Sequence, residues 1–364
     1  MYTSSVFEAE SLVDVPQQRC LSKAYGKKFI LMPVVPVAGR IMRAIRVAEF
    51  GSPEVLKLQN DVPIPEPSGK EVLIKVKSAG VNPAETYIRS GNRDVLPALP
   101  YTPGKDASGI VEKVGSKVTK FKPGDRVYTK NISSGSYAEF GIAAESKVDI
   151  LPENMTFQQG AAVGIPYYTA YRSLFQRGKA RAGETVLIHG ASGATGIACL
   201  QLGSAYGLNL MGTAGTPKGL ELIAKHGAEK VFNHREEGYT KQIMEATSGK
   251  GVDLIIEMLA NVNLDKDLDL LARHGRVVVV GNRAPTQIDA RKTMGKETCI
   301  IGVMITNIDD YDHDEIAAAV GAGMAKGFLN PVVGLEYPLE EAATAHHEVI
   351  DHKQGTHGKI VLNM

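Results

Sequence analysis

The stretch V186-L-I-H-G-A-S-G-A-T-G-I-A-C-L-Q-L-G-S-A-Y-G207 decides how the chain is read. A short apolar run ending in His189 meets three glycines, Gly190, Gly193 and Gly196, and then an alanine- and leucine-rich segment that stops at Gly207. This is a buried strand, a tight turn and a helix with a glycine stop. Free N–H groups and the dipole at the start of such a helix favour a phosphate. The backbone reaches a pyrophosphate only where side chains are missing. Ser192, Gly193, Ala194 and Thr195 are the expected cradle, and Gly196 the position where helix and sheet approach. The first glycine of the usual G-x-G-x-x-G is replaced by Ala191, with Gly190 just before it. Context carries the assignment to a dinucleotide, since a lone glycine pattern also marks ordinary turns.

Downstream, "LNLMGTA", "EKVFNH", "VDLIIEML", "RVVVVG" and "ETCIIGVM" read as strands. They alternate with helices in "KGLELIAKHG", "YTKQIMEATSG" and "NLDKDLDLLARHG". The pattern predicts an α/β fold with a doubly wound parallel sheet. Upstream, "MRAIRVAEF", "EVLKLQN", "EVLIKVKSAGVN", "SGIVEKVG", "GDRVYT" and "GSYAEFGIA" are short, valine-rich and bounded by turn residues, as in a mostly antiparallel unit. The tail has a helix and a last strand expected to return to that first unit.

The 364 residues are too many for one ordinary core. A net charge of +1 offers no field for nucleic acid or an acidic membrane. No apolar run reaches the roughly 18 residues of a membrane span. Cys20, Cys199 and Cys299 stand far apart, which argues against a structural zinc lobe or a disulfide scaffold and for a reducing compartment. Residues 1–41 read as a loosely packed extension: acidic positions Glu8, Glu10 and Asp14 disfavour a presequence.

An NAD site wants an acid about 20 residues past the glycines, to grip the ribose hydroxyl. The second strand instead runs into "GTAGTPKG". Gly215, Thr216 and Lys218 stand where the acid would act, and "NHRE" brings His234 and Arg235 toward the same corner. A partly basic loop suits a 2′-phosphate, so NADPH is favoured over NADH. The competing readings are a solvated helix-start lysine for Lys218 and a surface charge for Arg235.

The segments "GVNPAETYIRSG", "YTPGKDASGIVEKVG", "GASGATG", "GTAGT", "VFNHREE" and "IIEMLANVNL" resemble the zinc-free, zeta-crystallin-type quinone oxidoreductases of the medium-chain dehydrogenase/reductase superfamily, from about Met42 to the C-terminus. The resemblance implies a Rossmann NADPH-binding domain (166–304) inserted in a GroES-like catalytic domain (42–165 and 305–364). It implies NADPH contacts at Tyr87, Ser192, Gly193, Ala194, Thr195, Gly215, His234 and Asn263. Further contacts are implied at Val280, Gly281, Asn282 and Arg283, and at Val303, Met304 and Ile305. It also implies Asn82 and Tyr87 at the reacting centre, a quinone acceptor (an ortho-quinone reduced by one-electron transfer), a cytoplasmic homotetramer, and contact with AU-rich mRNA. No RNA-binding motif, basic run or aromatic platform supports that last partner.

Zinc-dependent relatives carry Cys in place of Asn82 and Gly-His-Glu in place of "GKD". Asn82 and Lys105 offer neither the thiolate nor the imidazole that zinc prefers, so no metal is expected. His346 and His347, adjacent on a helix, read as surface residues. Two departures from the family pattern stand out. Asn92 and Arg93 follow "YIRSG" where a tyrosine is common, and Thr195 replaces an aliphatic residue, its hydroxyl a candidate helix cap. Tyr87 reads either as a contact to the nicotinamide ribose or acceptor, or as a core tyrosine with a satisfied hydroxyl. Two rival functions stand beside quinone reduction. One is reduction of α,β-unsaturated carbonyls on the same fold. The other is a non-catalytic role, as an NADPH-binding lens structural protein or an mRNA binder.

Overall fold

The computed structural model describes residues 39–351 and 355–364. The expected extension, apart from residues 39–41, lies outside the described residues.

Seven strands come first: β1 (Ile41–Arg46), β2 (Lys57–Pro63), β3 (Glu71–Val81), β4 (Asp106–Val114), β5 (Arg126–Thr129), β6 (Phe140–Ala144) and β7 (Val148–Ile150). Helix α1 (Pro83–Arg89) follows β3, and α2 (Phe157–Ala161) and α3 (Gly164–Tyr171) follow β7. The glycine-rich half then alternates β8 (Thr185–Ile188), α4 (Ala194–Ala205), β9 (Asn209–Ala214), α5 (Pro217–Lys225), β10 (Lys230–Asn233), α6 (Tyr239–Ala246), β11 (Val252–Glu257), α7 (Ala260–Leu270), β12 (Leu271–Val279), α8 (Arg291–Lys296) and β13 (Cys299–Gly302). The chain ends with α9 (Asp310–Ala325), β14 (Val333–Pro338), α10 (Ala342–Asp351) and β15 (Lys359–Asn363).

The six strands β10-β9-β8-β11-β12-β13 form one sheet in that order, every pair parallel. Alternate residues feed opposite faces. Val186, Ile188, Leu254 and Ile256 join α4 residues Ala198, Cys199, Leu200 and Leu202 in one core. Leu187, Met211 and Ile255 join Ile243 of α6 and Leu264 and Leu268 of α7 in the other. The strand order reverses at β8, which places a ligand crevice outside the carboxyl ends of β8 and β11.

The second large sheet runs β14-β15-β3-β4-β5-β7, with β6 also on β3. Its pairs are antiparallel except β14 with β15. The last strand does return to the first unit: Ile360 faces Val81 across β15 and β3.

Three local readings change. Helix α7 stops at Leu270, not at Gly275, because Leu271 is drawn into β12 by pairing with Val252 and by complete burial. Helix α9 was not anticipated, although its signals are present. Asp309 accepts the N–H of Asp312 at 2.8 Å, and Ile316, Val320 and Met324 are buried at intervals of four. His346 is a core residue, not a surface one. Its Nε2 sits 3.1 Å from the Tyr137 hydroxyl, and burial pushes the imidazole down to about 3, so it is neutral. His347, its neighbour, lies at the surface beside Glu54.

Candidate active site

The glycine turn is built as its residue types require. Gly190 has φ +57°, and Gly193 donates its N–H to the Gly190 carbonyl at 3.1 Å. Gly193 is the extended residue at which α4 starts, so Thr195 lies inside the first turn and its hydroxyl is not the cap. The N–H groups of the first turn have no carbonyl a turn earlier to bind. A Cβ on Gly193 would meet no atom closer than 3.5 Å, which leaves the space over the turn open. A Cβ on Gly196 would lie 2.5 Å from the Ala191 Cα, so this glycine sets the approach of helix to strand. Ala191 is tolerated in the motif because it is fully buried, its N–H bonded to Thr213 O at 2.8 Å. The cradle therefore fits a pyrophosphate.

The corner past β9 has no acid. A Cβ on Gly215 would lie 2.7 Å from His234 Nε2 and 2.8 Å from Arg235 Nε, so the missing side chain lets both basic residues close over the loop. Burial, aided by nearby His189 and Arg235, keeps His234 below its usual range. Thr216 caps α5 by accepting the Gly219 N–H at 3.1 Å, which puts Lys218 in the first turn.

The C-terminal segment completes this corner, and sequence reading missed it. Gly358 donates its N–H to Ser192 O at 2.8 Å, Thr356 Oγ1 lies 3.2 Å from Ser192 Oγ, and His357 Nε2 lies 3.4 Å from Thr216 Oγ1. Burial and nearby Lys218 hold the His357 imidazole below its usual range. The only signal was a polar pair between glycines, "GTHG", far along the chain.

The remaining expected contacts line the carboxyl ends of β11, β12 and β13. Asn263, in the first turn of α7, donates to Glu257 Oε1 at 3.2 Å. Val280 and Gly281 donate to Glu257 O at 2.8 and 3.2 Å, and a Cβ on Gly281 would strike Met258 O at 2.2 Å. Asn282 and Arg283 are exposed, and the Arg283 N–H binds Asn261 Oδ1 at 3.0 Å. Val303 donates to Val279 O at 3.0 Å, followed by exposed Met304 and half-buried Ile305.

The GroES-like side presents α1. Asn82 stands at its start, buried, with both amide hydrogens engaged: Nδ2 donates to Asp106 Oδ2 at 3.0 Å and to Glu85 Oε1 at 3.1 Å. Lys359 donates to Asn82 Oδ1 and to Asp106 Oδ2, the latter at 2.9 Å. Burial pushes Glu85 up to about 7 against the pull of Lys359. Lys359 follows Gly358, so one short segment ties the glycine turn to the Asn82 cluster. Lys105 is half-buried, and burial holds its ammonium below the usual lysine range, with Glu85 opposing. Tyr87 is half-buried and outside the core, and among the described residues its hydroxyl takes no hydrogen bond. Its ring lies under the Arg93 guanidinium, 5.9 Å from the centroid, at the place where the sequence departs from the family pattern.

A mostly antiparallel GroES-like unit joined to a six-stranded Rossmann sheet, with a glycine cradle at the switch point, defines the medium-chain dehydrogenase/reductase class. The alcohol dehydrogenase GroES-like domain matches residues 68–165, and the zinc-binding dehydrogenase model matches 194–320. The quinone oxidoreductase of Mus musculus is 54% identical over 325 residues, covering 89% of this chain and 98% of that one. The quinone oxidoreductase of Homo sapiens is 52% identical over 323 residues, with the same coverage. Among solved structures, Escherichia coli quinone oxidoreductase complexed with NADPH is similar at 30% identity with a TM-score of 0.81, over 88% of this chain and all of that one. The chain belongs to the quinone oxidoreductase family. No helix among the described residues is long and apolar enough to cross a membrane.

Proposed function

We propose that this chain reduces quinones with NADPH, without zinc. The observation that carries the reading is the acid-free corner at Gly215, where His234 and Arg235 close over the loop beside Lys218 and His357. An Asp or Glu there would repel a 2′-phosphate, whereas Lys218 and Arg235 attract one by charge and the two imidazoles, held below their usual range, offer neutral N–H donors.

When bound, NADPH supplies the reducing electrons from its nicotinamide. The chain's residues bind, orient and exclude water. Ser192, Gly193, Ala194 and Thr195 hold the pyrophosphate against the start of α4. Gly215, Lys218 and His234 hold the 2′-phosphate end. Asn263, Val280, Gly281, Asn282, Arg283, Val303, Met304 and Ile305 wall the nicotinamide half. The free Tyr87 hydroxyl positions the ribose or the acceptor oxygen. The amide of Asn82, engaged by Asp106, Glu85 and Lys359, braces the start of α1. A quinone needs little electrophilic help, since its reduced oxygen is delocalised.

A Rossmann domain over 166–304 and a GroES-like domain over 42–165 and 305–364 divide these roles. The ortho-quinone preference, one-electron transfer, tetrameric assembly, cytoplasmic location and AU-rich mRNA rest on family resemblance alone. The test is NADPH oxidation with an ortho-quinone, with an α,β-unsaturated ketone, and with neither. Acceptor-dependent oxidation with the quinone supports the reading. Turnover of the unsaturated ketone alone would replace it with carbonyl reduction, and no turnover with either would leave a cofactor-binding protein.

A further inference from the structure

Behind the crevice, His189, Glu257 and Asp267 meet with no solvent exposure to speak of. His189 ends the strand segment that opens into the glycine turn, Glu257 ends β11, and Asp267 lies two turns into α7. His189 Nε2 is 3.0 Å from Asp267 Oδ1 and 3.8 Å from Glu257 Oε2. Its Nδ1 is 3.2 Å from Thr213 Oγ1, which also accepts the Gly190 N–H at 3.2 Å. On the other side, Glu257 Oε1 accepts the Leu259 N–H and the Asn263 amide. The trio thus touches the root of the glycine turn and the wall of the crevice at once.

Its two outer oxygens, Glu257 Oε2 and Asp267 Oδ2, are buried and have no hydrogen-bond donor among the described residues. Two ionised carboxylates would leave both atoms unpaired in a low-dielectric interior. One donor or acceptor atom from each member of the trio lies within 4.8 Å of the other two, so a single proton on one carboxyl group makes it a donor to the other.

We propose that Glu257 and Asp267 share this proton, and that Glu257 is thereby a positioning residue: it holds Asn263 and the Leu259 N–H in the crevice and keeps a further negative charge from the floor beneath an anionic dinucleotide. The inference rests on the reading of Asn263 as a cofactor contact. Loss of the proton adds one unit of negative charge under the site.

The loss falls near neutrality. Burial, with Asp267 adding, pushes Glu257 up to about 7, against the attraction of His189. Burial alone pushes His189 down, but Asp267 through its charge and hydrogen bond, and Glu257, outweigh this and raise it. The other groups facing the trio are Lys266 of α7, His234 after β10 and Tyr239 of α6. Cofactor affinity is therefore full below the Glu257 transition and falls as pH rises through it.

The experiment measures Kd for NADPH and for NADH by fluorescence titration between about pH 6 and pH 9. The parent should lose roughly tenfold in affinity for both, the order expected when one buried negative charge appears beneath an anionic ligand. NADH lacks the 2′-phosphate, so a shared loss is not that phosphate's own titration. Glu257→Gln keeps an oxygen for Leu259 and Asn263 and gives Asp267 a permanent donor, so it should bind as the parent does at low pH and show no slope. A parent without a slope, or a Glu257→Gln variant with the parent's slope, would overturn the proposal. Should that variant not fold, Asp267→Asn removes the neighbouring charge that helps push Glu257 up, so the fall in affinity should begin at lower pH than in the parent, and an unshifted profile would overturn the proposal. Asn263→Ala should weaken binding at every pH. Unchanged affinity there would overturn the contact reading by itself, without altering the slopes.

Discussion

Replacing Lys359 by Met removes a charge from one of the most buried polar clusters in the molecule and nearly preserves its volume. Lys359 is 3% exposed and Asp106 fully buried, and the ammonium lies 2.9 Å from Asp106 Oδ2. After the change Asp106 keeps two neutral donors, Asn82 Nδ2 at 3.0 Å and the Ile165 N–H at 2.8 Å, but no cation. Asn82 Oδ1 loses its donor as well. Breaking a buried pair from one side typically costs about 3–5 kcal/mol. Urea unfolding should therefore show Lys359→Met destabilised by about that amount. Pairing it with Asp106→Asn removes both charges and should recover roughly half of the loss, a coupling that a double-mutant cycle reads directly. A single-variant cost below about 1 kcal/mol, or a double variant no more stable than the single, would refute this view of the cluster.

Other expectations concern the site. Tyr87→Phe should leave the melting temperature nearly unchanged and lower kcat/KM or NADPH affinity by about tenfold, or about 1.4 kcal/mol; unchanged kinetics would place Tyr87 outside the site. Lys218→Ala and His234→Ala should each weaken NADPH more than NADH, and the parent's preference should shrink as salt rises; equal Kd values for the two cofactors in the parent would sink the assignment. Turnover should survive exhaustive chelation, with no stoichiometric zinc by elemental analysis, because Asn82 and Lys105 replace the thiolate and imidazole; an equivalent of tightly held zinc would contradict it.

The glycine turn was legible because each residue type answers a local constraint: Gly190 needs positive φ, Gly193 open space, and Gly196 contact with Ala191. The parallel sheet was legible through alternation, with Val186 and Ile188 feeding one core and Leu187 the other. What escaped depends on contacts distant in sequence. Lys359 reads as an ordinary strand lysine until Asn82 and Asp106 enclose it. Thr356 and His357 gain meaning only where Gly358 binds Ser192. His346 looks like half of an exposed pair until Tyr137 covers it. The shared role of His189, Glu257 and Asp267 is likewise invisible along the chain, since they come from two strand ends and a helix.

The most direct test of the whole account is the rate of NADPH oxidation by the purified, chelator-treated protein with and without an ortho-quinone, beside the same assay with NADH. Acceptor-dependent oxidation that is faster with NADPH is expected. No acceptor-dependent oxidation, or turnover that appears only when zinc is restored, would contradict it.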